Sequence, residues 1–365
     1  MSDQKKIAIV YDWIDKWGGV ERLLLTLHEM FPKAVFYTSY FDRKKAVWAK
    51  DLDIKTSFLQ NFPTFIKSSR LLSFPFYPFV FENFDFNEYD LVISVTSSFA
   101  KSIITQPKTK HICILLTPTR YFWLYPNEYF KHKFIRDVFL GHLKKWDKAV
   151  SSRPDLIVSI SKTVASRSFK YYKKKSQVIY PPFDLQYWQT VKSTIKPSQP
   201  SQDFFLVVSR LEPYKKIDLV IKVFNRIKEK LIVVGVGREL ENLKKMSGNN
   251  ITFLANISDS ELASLYMNTK ALIMPEDEDF GYVSLEAQFF GSPVIALNRG
   301  GAKETVIDGE TGILFNNQTS SSLEAALERF KQISYNLRAR IKETDSINVR
   351  RFDKKIFIEK LNSIL

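Results

Sequence analysis

The chain of 365 residues contains a single cysteine, Cys113, set within an apolar run. A disulfide framework is therefore excluded, and a small buried hydrophobe in a reducing compartment fits the residue. The four histidines, His28, His111, His132 and His142, lack the paired spacing that holds a metal ion. No apolar run approaches the roughly 20 residues that span a bilayer. The densest, Phe74 to Phe81, is short and broken by Pro75 and Pro78. The start, Met1-Ser-Asp-Gln-Lys-Lys, runs straight into an apolar strand without a signal-peptide pattern, so a cytoplasmic protein is expected. Neither a G-x-G-x-x-G turn after the first strand nor a Walker A sequence occurs, which sets aside the two standard glycine-rich phosphate loops.

What is present is a hydrophobic content of 45% in a chain too long for one ordinary core, so two domains are expected. The net charge of +15 is uneven. Residues 1–190 carry 29 Lys/Arg against 17 Asp/Glu, residues 191–330 carry 16 against 18, and residues 331–365 carry 9 against 4. A protein that coats nucleic acid would not keep its middle section neutral, so no nucleic-acid partner is expected. The asymmetry assigns an anionic partner to the first part and a small ligand to the second.

Strand-like apolar runs alternate with amphipathic stretches of helical length. In the first half the strands are expected near 7–10, 35–37, 90–95, 112–116, 155–160 and 178–180. In the second they fall near 204–208, 231–234, 251–254, 271–274, 293–296 and 312–315. Their unbroken β-branched character is that of parallel strands covered on both faces, giving an α/β fold. The polar stretch 192–202 reads as a linker, dividing the chain into 1–190, 191–349 and a terminal amphipathic helix, 350–365. Ligands of such folds bind beyond the carboxyl ends of the strands.

Three features fall at strand ends of the second half. Arg210 and Lys215 follow one buried strand and precede a helix, a pair suited to a leaving diphosphate. Val234-Gly235-Val-Gly237 leaves little side-chain bulk at another end and permits close approach of a ligand. Arg299-Gly-Gly-Ala-Lys-Glu304-Thr305 forms a flexible polar loop. Most informative is Pro275-Glu-Asp-Glu278-Asp-Phe280-Gly281-Tyr282-Val283-Ser-Leu-Glu286, which sets two carboxylates eight positions apart around a glycine turn. Carboxylates at a strand end accept hydrogen bonds from sugar hydroxyls, and a glycine lets backbone N–H groups face a phosphate or polyol. Taken alone, the segment is better described as an acidic turn before a helix, and it is its surroundings that favour a ligand site.

The ordered set resembles the retaining glycosyltransferases of family 4, with their E-x₇-E motif at Glu278 and Glu286. It is most similar to the bacterial O-antigen mannosyltransferase branch. That branch is matched by Tyr11-Asp12-Trp13, Gly18-Gly19-Val-Glu21, Asp90-Leu-Val-Ile-Ser94, Thr117-Pro-Thr-Arg120-Tyr121 and Tyr180-Pro-Pro182. It is matched further on by Arg210-Leu-Glu-Pro-Tyr-Lys215, Glu278-Asp-Phe-Gly281 and Gly300-Gly-Ala-Lys-Glu-Thr305.

The resemblance implies two Rossmann-like domains in the GT-B arrangement, an acceptor domain and then a donor domain, with the terminal helix returning to the first. It implies that Arg210 and Lys215 hold the donor diphosphate, that Glu286 accepts from the ribose, and that Glu278 with Phe280, Gly281, Tyr282 and Val283 lies against the transferred sugar. Gly235 and Gly237 join the donor side, and Gly18 and Gly19 let the first loop approach phosphates. Asp12, Arg120, Tyr121 and Lys101 form the acceptor side. No cofactor or metal is implied, only a nucleotide-sugar co-substrate, GDP-mannose; the alternatives are a UDP-sugar donor or a catalytically weak GT-B partner subunit. One position departs: Leu116 stands where the branch has a histidine before Thr-Pro, and His111, five residues earlier, is too far along the strand to substitute. The basic clusters Lys131-His-Lys133 with Arg136, Lys144-Lys145 with Lys148, and Lys170 to Lys175 suit an anionic membrane surface and a polyprenyl-diphosphate-linked glycan acceptor. The aromatic segment 74–84 reads either as a shallow membrane loop or as an irregular part of the first core.

Overall fold

The computed structural model describes residues 5–70, 72–129, 133–195, 203–344 and 347–365. The centre of the linker (196–202), Lys131, His132 and the side chains of Lys133 and Arg136 lie outside the described residues. The chain divides into two compact units, Met1–Pro181 with Lys360–Leu365, and Pro182–Glu359. The division falls before the helix Leu185–Thr194, most of which the sequence boundary at 190 had placed with the first part. Trp188 of that helix is buried and packs edge-on against Phe290, within the second unit.

The first unit holds β1 (Ile7–Tyr11), β2 (Val35–Thr38), β3 (Ile54–Thr56), β4 (Leu91–Thr96), β5 (Lys110–Leu115), β6 (Leu156–Ser159) and β7 (Gln177–Val178). They form one parallel sheet in the order β3-β2-β1-β4-β5-β6-β7. Every residue of β4 is buried, as a central parallel strand requires. The aromatic segment 74–84 folds as two short helical turns whose Tyr77, Val80 and Phe81 enter the core, leaving Phe79 exposed. It is a packed segment, held by Tyr77 stacking on Phe99 and by Trp13 Nε1 donating to the Tyr77 hydroxyl at 2.7 Å.

The second unit holds β8 (Phe204–Val208), β9 (Lys230–Val234), β10 (Ile251–Leu254), β11 (Leu272–Met274), β12 (Val294–Leu297) and β13 (Gly312–Phe315). Its sheet is also parallel, in the order β10-β9-β8-β11-β12-β13. The helix Ile217–Ile227 buries Val220, Ile221 and Phe224 against Phe205, Val207 and Ile273. In both units the first strand lies between the second and fourth, so the chain order reverses there. That reversal opens a crevice at the carboxyl ends of β1 and β4, and of β8 and β11.

His111 on β5 is wholly buried, with Nε2 at 2.8 Å from the Ser94 hydroxyl on β4. Burial lowers its pKa to about 3 from 6.5. Below about pH 6.5 the unfolded chain binds a proton that the folded ring refuses, so stability falls as pH drops from 6.5 toward 3. The loss approaches about 1.4 kcal/mol per pH unit. Urea midpoints measured across this window for the native chain and for His111→Asn should show a shallower fall in the variant.

Candidate active site

At the crevice of the second unit, the loop after β8 turns through Pro213–Lys215 and brings the Lys215 side chain inward. Its ammonium forms an ion pair with Glu278 and lies 3.4 Å from Glu276 Oε1, both on the loop after β11. The Lys215 and Glu276 side chains are 8% and 4% exposed, whereas Glu278 is 21% exposed. Burial works against the charge of Lys215, but Glu278 and then Glu276 outweigh it, and its pKa is raised. Burial likewise pushes the Glu276 carboxyl up, with Lys215 opposing and Glu278 adding to the rise. Glu276 Oε2 is buried and has no hydrogen-bond partner. Arg210, on the same loop as Lys215, is exposed and donates to the Tyr214 hydroxyl at 3.1 Å.

Glu286 lies in the second turn of the helix Tyr282–Phe289. It is buried and accepts from the Tyr266 hydroxyl at 2.9 Å. Gly281 sits just before that helix at φ +89°, where L side chains are strained. Phe280 is buried between Tyr282 and Phe352, and Val283 is half-buried. Beneath the helix, Ser284 donates to Thr305 Oγ1 at 2.7 Å, and Gln288 and Asn348 both donate to the Thr305 carbonyl at 2.9 Å.

Two glycine features have a different use from the one expected. A Cβ on Gly235 would stand 1.9 Å from the Ser209 carbonyl oxygen, and one on Gly237 would stand 2.2 Å from that of Leu211. The glycines therefore admit the backbone of the Arg210 loop, which hydrogen-bonds back to Val234 and Val236. The loop at Gly300 and Gly301 is clamped rather than flexible. The Gly301 N–H donates to the Glu278 carbonyl at 2.6 Å, and a Cβ on either glycine would enter the backbone of Glu278 or Phe280.

In the first unit Asp12 is wholly buried below its crevice. Its carboxylate accepts from the Ser97, Phe99 and Ala100 N–H groups, each at 2.8 Å, and from the Thr96 hydroxyl. Lys101 is 2% exposed and pairs with the buried Asp147 at 2.7 Å. Both were expected on the acceptor side, and both are instead internal braces whose polar atoms are already engaged. Arg120 and Tyr121 are half-buried. Tyr121 lies parallel to Phe99 and edge-on to Tyr129, and burial pushes its hydroxyl pKa up to about 12. Gly19 opens the helix Gly19–Met30, and the buried Glu21 carboxylate stands where a Cβ of Gly18 would meet it at 3.1 Å. Leu116 is buried beside β5, and His111 is held in the sheet interior, as its distance along the strand implied.

Residues 190–345 match the family model for glycosyl transferases group 1. That match covers the second unit from its first helix through the long helix Ser320–Thr344. The chain is also 27% identical over 248 residues to an alpha-1,3/1,6-mannosyltransferase, ALG2, from Dictyostelium discoideum. This alignment spans 57% of the chain and 59% of that relative. The Debaryomyces hansenii ALG2 is 26% identical over 84% of this chain and 77% of its own length. Among solved structures, Anabaena HepE in complex with UDP superposes with a TM-score of 0.71 at 18% identity, covering 98% of this chain and 99% of that one. The fold is GT-B, and residues 190–345 are similar to glycosyl transferases group 1.

Sequence reasoning gave Glu278 and Lys215 but passed over Glu276, the more buried of the two acids at the ammonium. Its signal was available as the first carboxylate of Pro275-Glu276-Asp-Glu278, just past the end of β11. Among the described residues, no grouping of three or more His, Cys, Asp and Glu is arranged to hold a metal ion. Removing the ammonium should leave two carboxylates facing each other without a cation. Lys215→Met is expected to lose about 3 kcal/mol at neutral pH, and part of that should return near pH 5 as a carboxylate protonates. Urea unfolding at both pH values checks this.

Proposed function

We propose that the protein is a retaining, metal-independent hexosyltransferase of the family 4 type that moves mannose from GDP-mannose to a lipid-linked or polysaccharide glycan. The observation that carries the reading is the placement of Arg210, Lys215 and Glu278 at the carboxyl ends of β8 and β11, where the strand order reverses. Such a crevice takes nucleotides in folds of this type. In this reading the diphosphate of the donor lies against Lys215 and Arg210. As the glycosidic bond breaks, negative charge grows on the leaving phosphate, and fixed cations there favour the transition state over the ground state. Glu278, the most exposed member of its cluster, accepts from the hydroxyls of the transferred sugar, and Glu286 from the ribose. The acceptor oxygen attacks the same face that the phosphate leaves, and the departing phosphate takes its proton, so positioning replaces a dedicated base.

The mannose assignment draws on the two ALG2 relatives. A UDP-sugar is the second reading, favoured by the structural likeness to a protein crystallised with UDP and by Leu116 at the branch histidine position. We further propose peripheral attachment to the cytoplasmic face of a membrane, near a polyprenyl-diphosphate-linked acceptor. No helix of the described residues is long and apolar enough to cross a membrane. On the helix Lys162–Tyr172 and just beyond it, exposed Phe169 stands beside exposed Lys170 and Lys173, a pairing suited to anionic headgroups.

Thermal unfolding with GDP and UDP in parallel discriminates the donors. At a hundredfold excess over Kd the correct nucleotide should add about 2.7 kcal/mol of stability, and stabilisation by UDP alone would sink the mannosyl assignment. With the correct donor, Arg210→Ala should lower kcat by about 10²–10³-fold. Co-sedimentation with liposomes should require anionic lipid and weaken with salt; binding insensitive to both would remove the membrane proposal.

A further inference from the structure

We propose that Glu276 is a positioning residue for Lys215 and takes up a proton from solvent when a nucleoside diphosphate binds at this site. The inference rests on the donor-site reading above and adds to it a carboxylate with no role there. Three charged groups, Lys215, Glu276 and Glu278, occupy one nearly dry corner with two negative charges and one positive. An arriving diphosphate adds further negative charge and competes for the same ammonium. Two carboxylates sharing a site then cannot both stay ionised.

Geometry selects Glu276 as the one that is neutralised. It is the more buried of the two, and Oε2 is an acceptor with no hydrogen-bond partner. As a protonated oxygen it gains an O–H that can donate to a ligand atom entering the corner, while Oε1 still faces Lys215 at 3.4 Å. Lys215 then stays anchored as it turns toward phosphate, and Glu278 is released to the sugar. Arg210 and Tyr214, from the loop after β8, also act on Lys215; Asp277 and Asp279 flank Glu278 in sequence, and the loop after β12, which carries Arg299 and Lys303, packs through Gly300 and Gly301 on the Glu278 backbone. Arg210 is exposed, and its charge opposes that of Lys215. The loop after β13 contributes a neutral amide, Gln318, which donates to the Pro275 carbonyl at 2.8 Å. Burial already pushes the Glu276 carboxyl above its ordinary value, and negative charge arriving beside it acts in the same direction.

Calorimetric titration of the full chain with GDP and with UDP, in two buffers of different ionisation heat, counts the protons taken up. It is done at about pH 8, well above the second phosphate ionisation near 6. The native chain should take up as much as one proton per nucleotide bound, and its affinity should weaken by up to about tenfold per pH unit as pH rises. Glu276→Gln should bind with the uptake and the slope abolished, and Glu276→Gly serves if the amide variant does not fold. Tight binding by the native chain without proton uptake, or uptake undiminished in the variants, overturns the proposal and leaves the donor site standing. Failure of both nucleotides to bind overturns the donor site and this inference together.

Discussion

An ammonium held between two carboxylates is the constraint on which the second unit's crevice depends. Lys215 comes from the loop after β8 and its partners from the loop after β11, so one side chain joins the two strands flanking the reversal of strand order. Breaking a pair this buried leaves an uncompensated charge in a poor solvent, which is more costly than never having made it. The loops are braced from behind as well: Gly301 holds the Glu278 carbonyl, and the Ser284–Thr305–Gln288–Asn348 network supports the following helix. Side chains that would meet a ligand are thereby fixed by backbone that cannot easily shift.

The first unit solves the same geometric problem with the opposite charge. Asp12, after β1, gathers the N–H groups of the loop after β4, as Lys215 gathers the carboxylates after β11. The difference lies in saturation. Asp12 meets backbone and hydroxyl donors at both oxygens and is wholly buried, so it is a brace. The Lys215 cluster keeps one carboxylate oxygen unpartnered and another carboxylate partly open to solvent, so it retains capacity for a ligand.

Parallel strands buried on both faces were legible because an unbroken β-branched run suits a strand covered on both sides and little else. The exception, β3, is three residues long at the sheet edge, and Ile54-Lys55-Thr56 alternates as a half-exposed strand does. Arg210, Lys215, Glu278 and Glu286 were visible through their order and spacing. Glu276 was not, because its weight comes from burial, and an acid-rich segment looks solvated in sequence. Lys101 was placed on the acceptor side, and its ion pair was not legible because its partner, Asp147, lies 46 positions away. The packing of Gly235 and Gly237 was hidden for a different reason: an empty Cβ position looks the same in sequence whether a ligand or the chain's own backbone lies against it.

That last point bears on how this scaffold can diverge. Since Gly235 and Gly237 lie flat against Ser209–Leu211, the two strand-end loops behave mechanically as a single laminated piece. Insertions or length changes in either would have to be matched by a change in the other. On the donor-site proposal, new donor preferences are therefore more accessible by exchanging side chains along the β11 loop than by remodelling the backbone that carries Arg210.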